Sequence, residues 1–196
     1  MAGALLAACS VPDGGHAVIE RAVEANAVRF GIPTAWIETV MQAESGGRAC
    51  RNGRPIRSRA GAVGVMQLME PTWTEMQHLF GLGPSIDDPA ANIAAGTAYL
   101  RLMYDRFGYP GVFAAYNAGP ERYGQSLIGR QLPKETLQYL HAVLTRINEP
   151  TAIPPAASHL NRAGLFASPS NEHESGYPGG GTGDEPASDV LFFLRR

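Results

Sequence analysis

Residues 87–108 read "DDPAANIAAGTAYLRLMYDRFG", and the way this stretch folds decides the fold of the chain. Asp88 is a good N-cap residue, and Pro89 behind it suits the first helical position, where its missing N–H costs nothing. Gly108 supplies the stop that helix ends favour. Between them Ile93, Leu100, Met103 and Phe107 recur at helical spacing and share one face. Gly96 lies on that stretch without a Cβ, so a second helix is expected to approach closely there. The segment therefore reads as a helix of roughly five turns.

The same punctuation recurs on both sides. "HAVIERAVEANAVRF" (16–30) ends at Gly31, and "IPTAWIETVMQAE" (32–44) opens on Pro33 and stops at Gly46. "MEPTWTEMQHLFG" (69–81) predicts a shorter helix from about Pro71, and "PGVFAAYNAG" (110–119) another that ends at Gly119. "PKETLQYLHAVLTRIN" (133–148) closes the series with Leu140, Val143, Leu144 and Ile147 as its core stripe. Strand alternation is absent apart from a candidate small hairpin within 48–64. The expected class is all-α.

The chain has 196 residues, enough for one domain with a real core plus extensions. A net charge of −2 gives no sign of a nucleic-acid partner. No apolar run reaches the roughly 18 residues of a transmembrane helix. From Pro150 to Arg196 the chain is rich in Pro, Gly, Ser and Ala; such a stretch buries too little apolar surface to offset its ordering entropy and reads as a disordered tail. Its last residues, "VLFFLRR" (190–196), form a candidate docking peptide. Residues 1–13 read as an atypical or truncated export signal or flexible N-terminus. "LAAC" (6–9) also resembles a lipobox. The two cysteines, Cys9 and Cys50, define neither a disulfide framework nor a metal site, and Cys50 reads as a loop thiol. The domain plan is therefore 1–13, a folded unit over 14–149, and a tail over 150–196.

One residue does not suit this plan. On the helix ending at Gly46, Trp36, Ile37, Val40 and Met41 share a face, and Glu44 projects from it. Burial raises a carboxyl pKa, and the negative end of the helix dipole pushes the same way. A glutamic acid kept protonated near neutral pH can deliver its proton to a leaving group. A Glu at a helix end also often turns out to solvent, so the neighbouring segments decide. "SRAGAVGVMQLMEPTW" (58–73) carries Gln67 as a lone amide among apolar side chains, and "AYNAGP" (115–120) sets Tyr116 and Asn117 at a helix end. Alone, each fits an ordinary turn or core.

Together, in this order and spacing, "ESGG", "S-x-x-G-A-x-G-V-M-Q-L-M", "D-P-x-x-N-I-x-x-G-x-x-Y-L", "A-x-Y-N-A-G-P" and "L-P-x-E-T-x-x-Y" resemble the soluble, Slt-type lytic transglycosylases, over about residues 15–148. The resemblance implies a compact, helical, lysozyme-like domain that acts on peptidoglycan glycan strands without metal or cofactor. It implies that Glu44 is the single catalytic acid/base and that Ser58 lies near it. Met66, Gln67, Tyr116, Asn117, Glu135 and Tyr139 would face the glycan cleft, and Asp88, Pro89, Asn92, Ile93 and Gly96 would be architectural. Two departures stand out. Glu70 intervenes between "QLM" and Pro71, and the insert "RACRNGRPIRSR" (48–59) carries five arginines. The insert reads either as a solvated loop or as a contact for carboxylates of peptide stems or anionic wall polymers.

A conventional glycosidase needs two carboxylates at the scissile bond, and the motifs offer one in the right setting. That fits non-hydrolytic cleavage to 1,6-anhydro ends. The rival readings are a goose-type-lysozyme-like hydrolase and a catalytically silent glycan-binding assembly module. The resemblance implies a periplasmic or envelope location. A compact unit with a loose tail resembles the enzymes of conjugation or type IV secretion systems, with channel proteins as partners through the tail.

Overall fold

The computed structural model describes residues 14–147. The export-signal and lipidation expectations for residues 1–13, and the tail and docking-peptide expectations from residue 150, lie outside the described residues. Within them the order is α1 (Gly14–Phe30), α2 (Thr34–Ser45), β1 (Cys50–Arg51), β2 (Arg54–Pro55), α3 (Glu70–Phe80), α4 (Pro89–Phe107), α5 (Gly111–Ala118), α6 (Pro120–Leu127) and α7 (Lys134–Leu144). The class is all-α, with one two-residue-per-strand hairpin among the described residues. None of these helices is long and apolar enough to cross a membrane.

The stretch 87–108 forms α4, the axis of the fold. Asp88 caps α4 by accepting a hydrogen bond from the Ala90 N–H at 3.3 Å, and Pro89 takes the first turn. The single apolar face read from the sequence is too narrow, however. From Pro89 to Arg101 every residue except Ala90 is buried, because α1, α3 and α5 all pack on α4. Ala91, Ala94, Ala95 and Ala98 make this possible by letting neighbours approach on faces that a one-sided pattern would leave to solvent. Gly96 also differs from expectation. What comes close to it is no helix but the Met66 side chain, whose atoms a Cβ at position 96 would strike.

The centre of α4 carries a buried charge. Arg101 has a side chain only 2% exposed, and its Nη2 meets Asp105 Oδ1 at 2.9 Å, one turn on. Its Nη1 also donates to the Phe30 carbonyl at 3.4 Å, tying α4 to the end of α1. Across the Tyr104 ring from this charge, Trp36, 1% exposed, sits among the rings of Phe113, Tyr109 and Tyr104 at centroid distances of 4.9, 5.5 and 5.8 Å. A buried aromatic of this size is worth about 3–5 kcal/mol against alanine, so α2 is firmly seated.

Most helix ends fall where Gly and Pro placed them. α6 is the exception, a helix at 120–127 outside the expected series. Its contact with the core is the partly buried Tyr123, while Leu127 on the same side stays exposed, and Gly124 lowers the helical propensity of so short a segment. It rests on α5 and is held from outside, by a Phe107–Tyr123 edge contact at 5.0 Å and by Arg122 Nη2 donating to the Gln131 carbonyl at 2.7 Å.

The expected hairpin is present. Asn52 and Gly53 both have positive φ, 53° and 70°, as the primed turns that match strand twist require. Cys50 is not the loop thiol the sequence suggested; it is disulfide-bonded.

Candidate active site

The end of α2 is built to hold Glu44 in place. Trp36, Ile37, Val40 and Met41 are all at most 4% exposed, so the helix cannot rotate the acid outward without uncovering its apolar face. Ser45 is buried and donates to the Val65 carbonyl at 2.8 Å, with the Met41 carbonyl also in range at 3.2 Å. Gly46 and Gly47 then turn the chain sharply away, with φ of 67° and 70°. Left-handed backbone of this kind is nearly free only for glycine. The "ESGG" sequence thus ends the helix one residue after the acid.

Opposite α2, the loop 56–69 is stitched to α4. Asn92, fully buried, accepts from the Met66 N–H at 2.9 Å and donates to the Val63 and Ile86 carbonyls at 3.0 and 3.2 Å. Gly64 fits against it only because it lacks a Cβ. Gln67 is left in a φ of +50°, a conformation that costs a non-glycine residue on the order of 1 kcal/mol or more and tends to occur at functional sites. Its Nε2 donates to the Gly64 carbonyl at 2.7 Å, which leaves Oε1 as the atom it can offer to a donor.

Between these walls lies a cleft with about 430 Å³ of empty space, part of it open to solvent. Glu44, Gln67, Tyr116 and Asn117 line it together with Tyr99, Thr72, Met69, Leu68 and Ala62. Both carboxylate oxygens of Glu44 are shielded from solvent, and Glu44 is the single acid in the lining. Tyr116 is buried, donates to the Met66 carbonyl at 3.0 Å, and packs its ring on Tyr99 at 5.2 Å. Burial raises the Tyr116 hydroxyl far above its usual range, and neighbouring Tyr99 adds to the effect. Burial does the same to Tyr99, where the Glu75 charge adds and Arg106 partly offsets, and to Tyr139, where Tyr116 adds. All three remain neutral hydrogen-bonding groups.

Two neutral polar groups of the lining, the Tyr99 hydroxyl and the Asn117 Nδ2, are buried and lack a hydrogen-bond partner among the described residues. Buried polar atoms are rarely left so; aimed into a cleft, they are suited to a ligand rich in hydroxyl and amide groups.

The structure places the other expected site residues off this lining. Ser58 ties the turn beneath it, its Oγ accepting from the Ala62 N–H at 3.0 Å. Met66 is fully buried against Gly96, and it serves the site through its backbone. Glu135 is exposed in the first turn of α7. Tyr139 is buried one turn further, its hydroxyl without a partner. The sequence reading treated Tyr99 as part of an architectural motif. Its one signal was a hydroxyl-bearing ring on a helix face where Leu would serve packing equally well.

A shielded acid thus lies in a tyrosine-walled cleft carried by a mainly helical domain. A family model described as the Transglycosylase SLT domain matches residues 21–135, and the chain belongs to that family. Soluble lytic murein transglycosylases of Salmonella typhimurium and of Escherichia coli K12 are each 42% identical to it over 74 residues, which is 34% of this chain and 12% of theirs. The chain thus matches about an eighth of the length of these curated relatives. Among solved structures it resembles an inactive mutant of the lytic transglycosylase Slt from Pseudomonas aeruginosa, with TM-score 0.55 and 31% identity over 69% of this chain and 23% of that one. It also resembles the 70-kDa soluble lytic transglycosylase of Escherichia coli, with TM-score 0.54 and 30% identity over 67% and 23%.

Proposed function

We propose that this chain is a peptidoglycan lytic transglycosylase that cleaves the β-1,4 bond between N-acetylmuramic acid and N-acetylglucosamine and leaves 1,6-anhydro ends. The observation that carries this is Glu44 as the one acid in the lining, with both oxygens out of water. Taking a carboxyl group out of water favours its neutral form, the form needed to protonate the glycosidic oxygen. The C1–O bond breaks, and the acetamido group of the muramoyl sugar stabilises the positive charge developing at C1. The Glu44 carboxylate then takes the proton of the muramoyl C6 hydroxyl as that oxygen bonds to C1. The acid is regenerated and no water is consumed.

The remaining lining residues position the sugar. Gln67 Oε1 accepts from an acetamido N–H or a hydroxyl, while Asn117 Nδ2 and the Tyr99 hydroxyl donate to sugar oxygens. Tyr116, held by the Met66 carbonyl, keeps the loop wall at a set distance from Glu44. The Glu75 charge acts on Tyr99, and partial burial raises the Glu75 carboxyl itself, but Glu75 lies outside the lining; a hydrolase would need such a second carboxylate as a base for water. Mass analysis of released fragments separates the two readings, since anhydro ends are one water lighter than reducing ends.

An extracytoplasmic site of action fits the disulfide at Cys50, because such bonds persist in oxidising compartments. Local wall opening for a secretion or conjugation channel is the cellular role we propose for this activity. Deleting the gene and measuring transfer or secretion with and without the Glu44→Gln allele tests it.

A further inference from the structure

We propose that the hairpin β1–β2 is an anion-docking surface that holds the carboxylates of the peptide stems borne by the glycan in the cleft; this rests on the glycan substrate proposed above. Between Ser45 and Met69 the chain has five arginines and no acid, in a protein whose net charge is −2. Arg48, Arg51, Arg54, Arg57 and Arg59 are all exposed. Arg57 alone of the five is in an ion pair among the described residues, with Asp87 at 2.6 Å; this contact anchors the base of the insert to the loop before α4.

The tip is arranged against its own stability. Arg51 and Arg54 are Cα partners across the antiparallel pair, and like charges directly opposite each other destabilise a hairpin. The turn between them, Asn52–Gly53, holds this register. A solvated loop gains nothing from such a pairing. Two guanidinium forks side by side do suit a carboxylate, which each can bind through two parallel N–H groups.

The surface is continuous with the cleft. The Ile56 carbonyl, just after β2, accepts from the Gly64 N–H at 2.8 Å and lies 3.5 Å from Nε2 of the cleft residue Gln67. Arg54 is two residues back, about 7 Å of extended chain. A stem of about four residues, extended, spans about 14 Å, so a stem leaving a sugar at Gln67 reaches the tip. The stems carry free carboxylates several residues out from the sugar; a stripped glycan keeps only the lactyl carboxylate on the muramoyl ring itself, which is too short to reach the tip from the cleft. Anionic wall polymers and non-specific polyanions are the competing occupants.

Binding to immobilised glycan strands tests the assignment without relying on cleavage. Full-length Glu44→Gln protein, with and without Arg51→Gln and Arg54→Gln, is titrated against uncross-linked strands that keep their stems and against strands stripped of stems by an amidase. The expected result is an apparent Kd on stem-bearing strands about tenfold weaker for the arginine variant and unchanged on stripped strands. The difference should fade with added salt. Equal Kd values on stem-bearing strands overturn the proposal, as does an equal loss on both preparations, which would assign the hairpin to carboxylates of the glycan itself, or an absence of binding to either. A melting temperature of the arginine variant no lower than its parent's shows that the fold is retained. The wild-type chain on intact sacculi reports separately on the cleavage reading: release of no fragments there sinks that reading, while the binding difference still decides this one.

Discussion

Tyr99 and Glu44 respond to substitution and to pH in separable ways. The Tyr99 hydroxyl is buried without a partner, so Tyr99→Phe removes an unsatisfied group and should raise stability by up to about 1 kcal/mol. The same change deletes a sugar contact and should lower kcat/KM about tenfold. A thermal melt and a turnover assay on one protein check both; a stabilised variant with full activity would remove Tyr99 from the site. Glu44 must start each turnover protonated, so kcat/KM should be highest at low pH and fall as pH rises through its ionisation. The tyrosines, held far above the usual phenol range by burial, add no limb of their own there. A pH profile with a second, acidic limb would instead indicate a paired carboxylate. Glu75→Gln should leave activity within a factor of about two.

Among the elements, the cleft stands on the junction of loop 56–69 with α4. Asn92 makes two hydrogen bonds to that loop and a third to the Ile86 carbonyl, and at about 1 kcal/mol each, Asn92→Ala should cost about 3 kcal/mol and lower Tm by about 9 °C in a domain of this size. A loss below 1 kcal/mol, measured by urea titration, would mean that the loop is held by something else. The helices were legible because Gly31, Gly46, Gly108 and Gly119 mark stops and Pro33, Pro71 and Pro89 mark starts. α6 was not, because its apolar side is only Tyr123 and Leu127, and Gly124 interrupts so short a segment. The partner of Gly96 was misread for a different reason: a missing Cβ announces close approach but not by what, and Met66 lies 30 residues away in sequence. Cys50 could not be read as disulfide-bonded from two cysteines without spatial information.

For the whole molecule, the single-acid reading depends on what occupies the other carboxylates. Asp88 caps a helix, Asp87 pairs with Arg57, and Asp105 neutralises the buried Arg101. Asp105→Ala would remove a buried charge partner of Arg101 and should destabilise by about 3 kcal/mol, with wild-type cleavage chemistry in whatever fraction stays folded. Of the expected site, Glu44, Gln67, Tyr116 and Asn117 converge on one cleft, since each belongs to a short motif at a helix end or tight turn. Ser58, Met66, Glu135 and Tyr139 do not line it, because the sequence does not say which face of a loop or helix turns toward the opening. The most direct test is mass analysis of fragments released from purified sacculi by the wild type and by Glu44→Gln. Anhydro-muramoyl ends from the wild type, with release by Glu44→Gln cut about 10³-fold, are the predicted result. Reducing ends that incorporate labelled water, or undiminished release by Glu44→Gln, would contradict it.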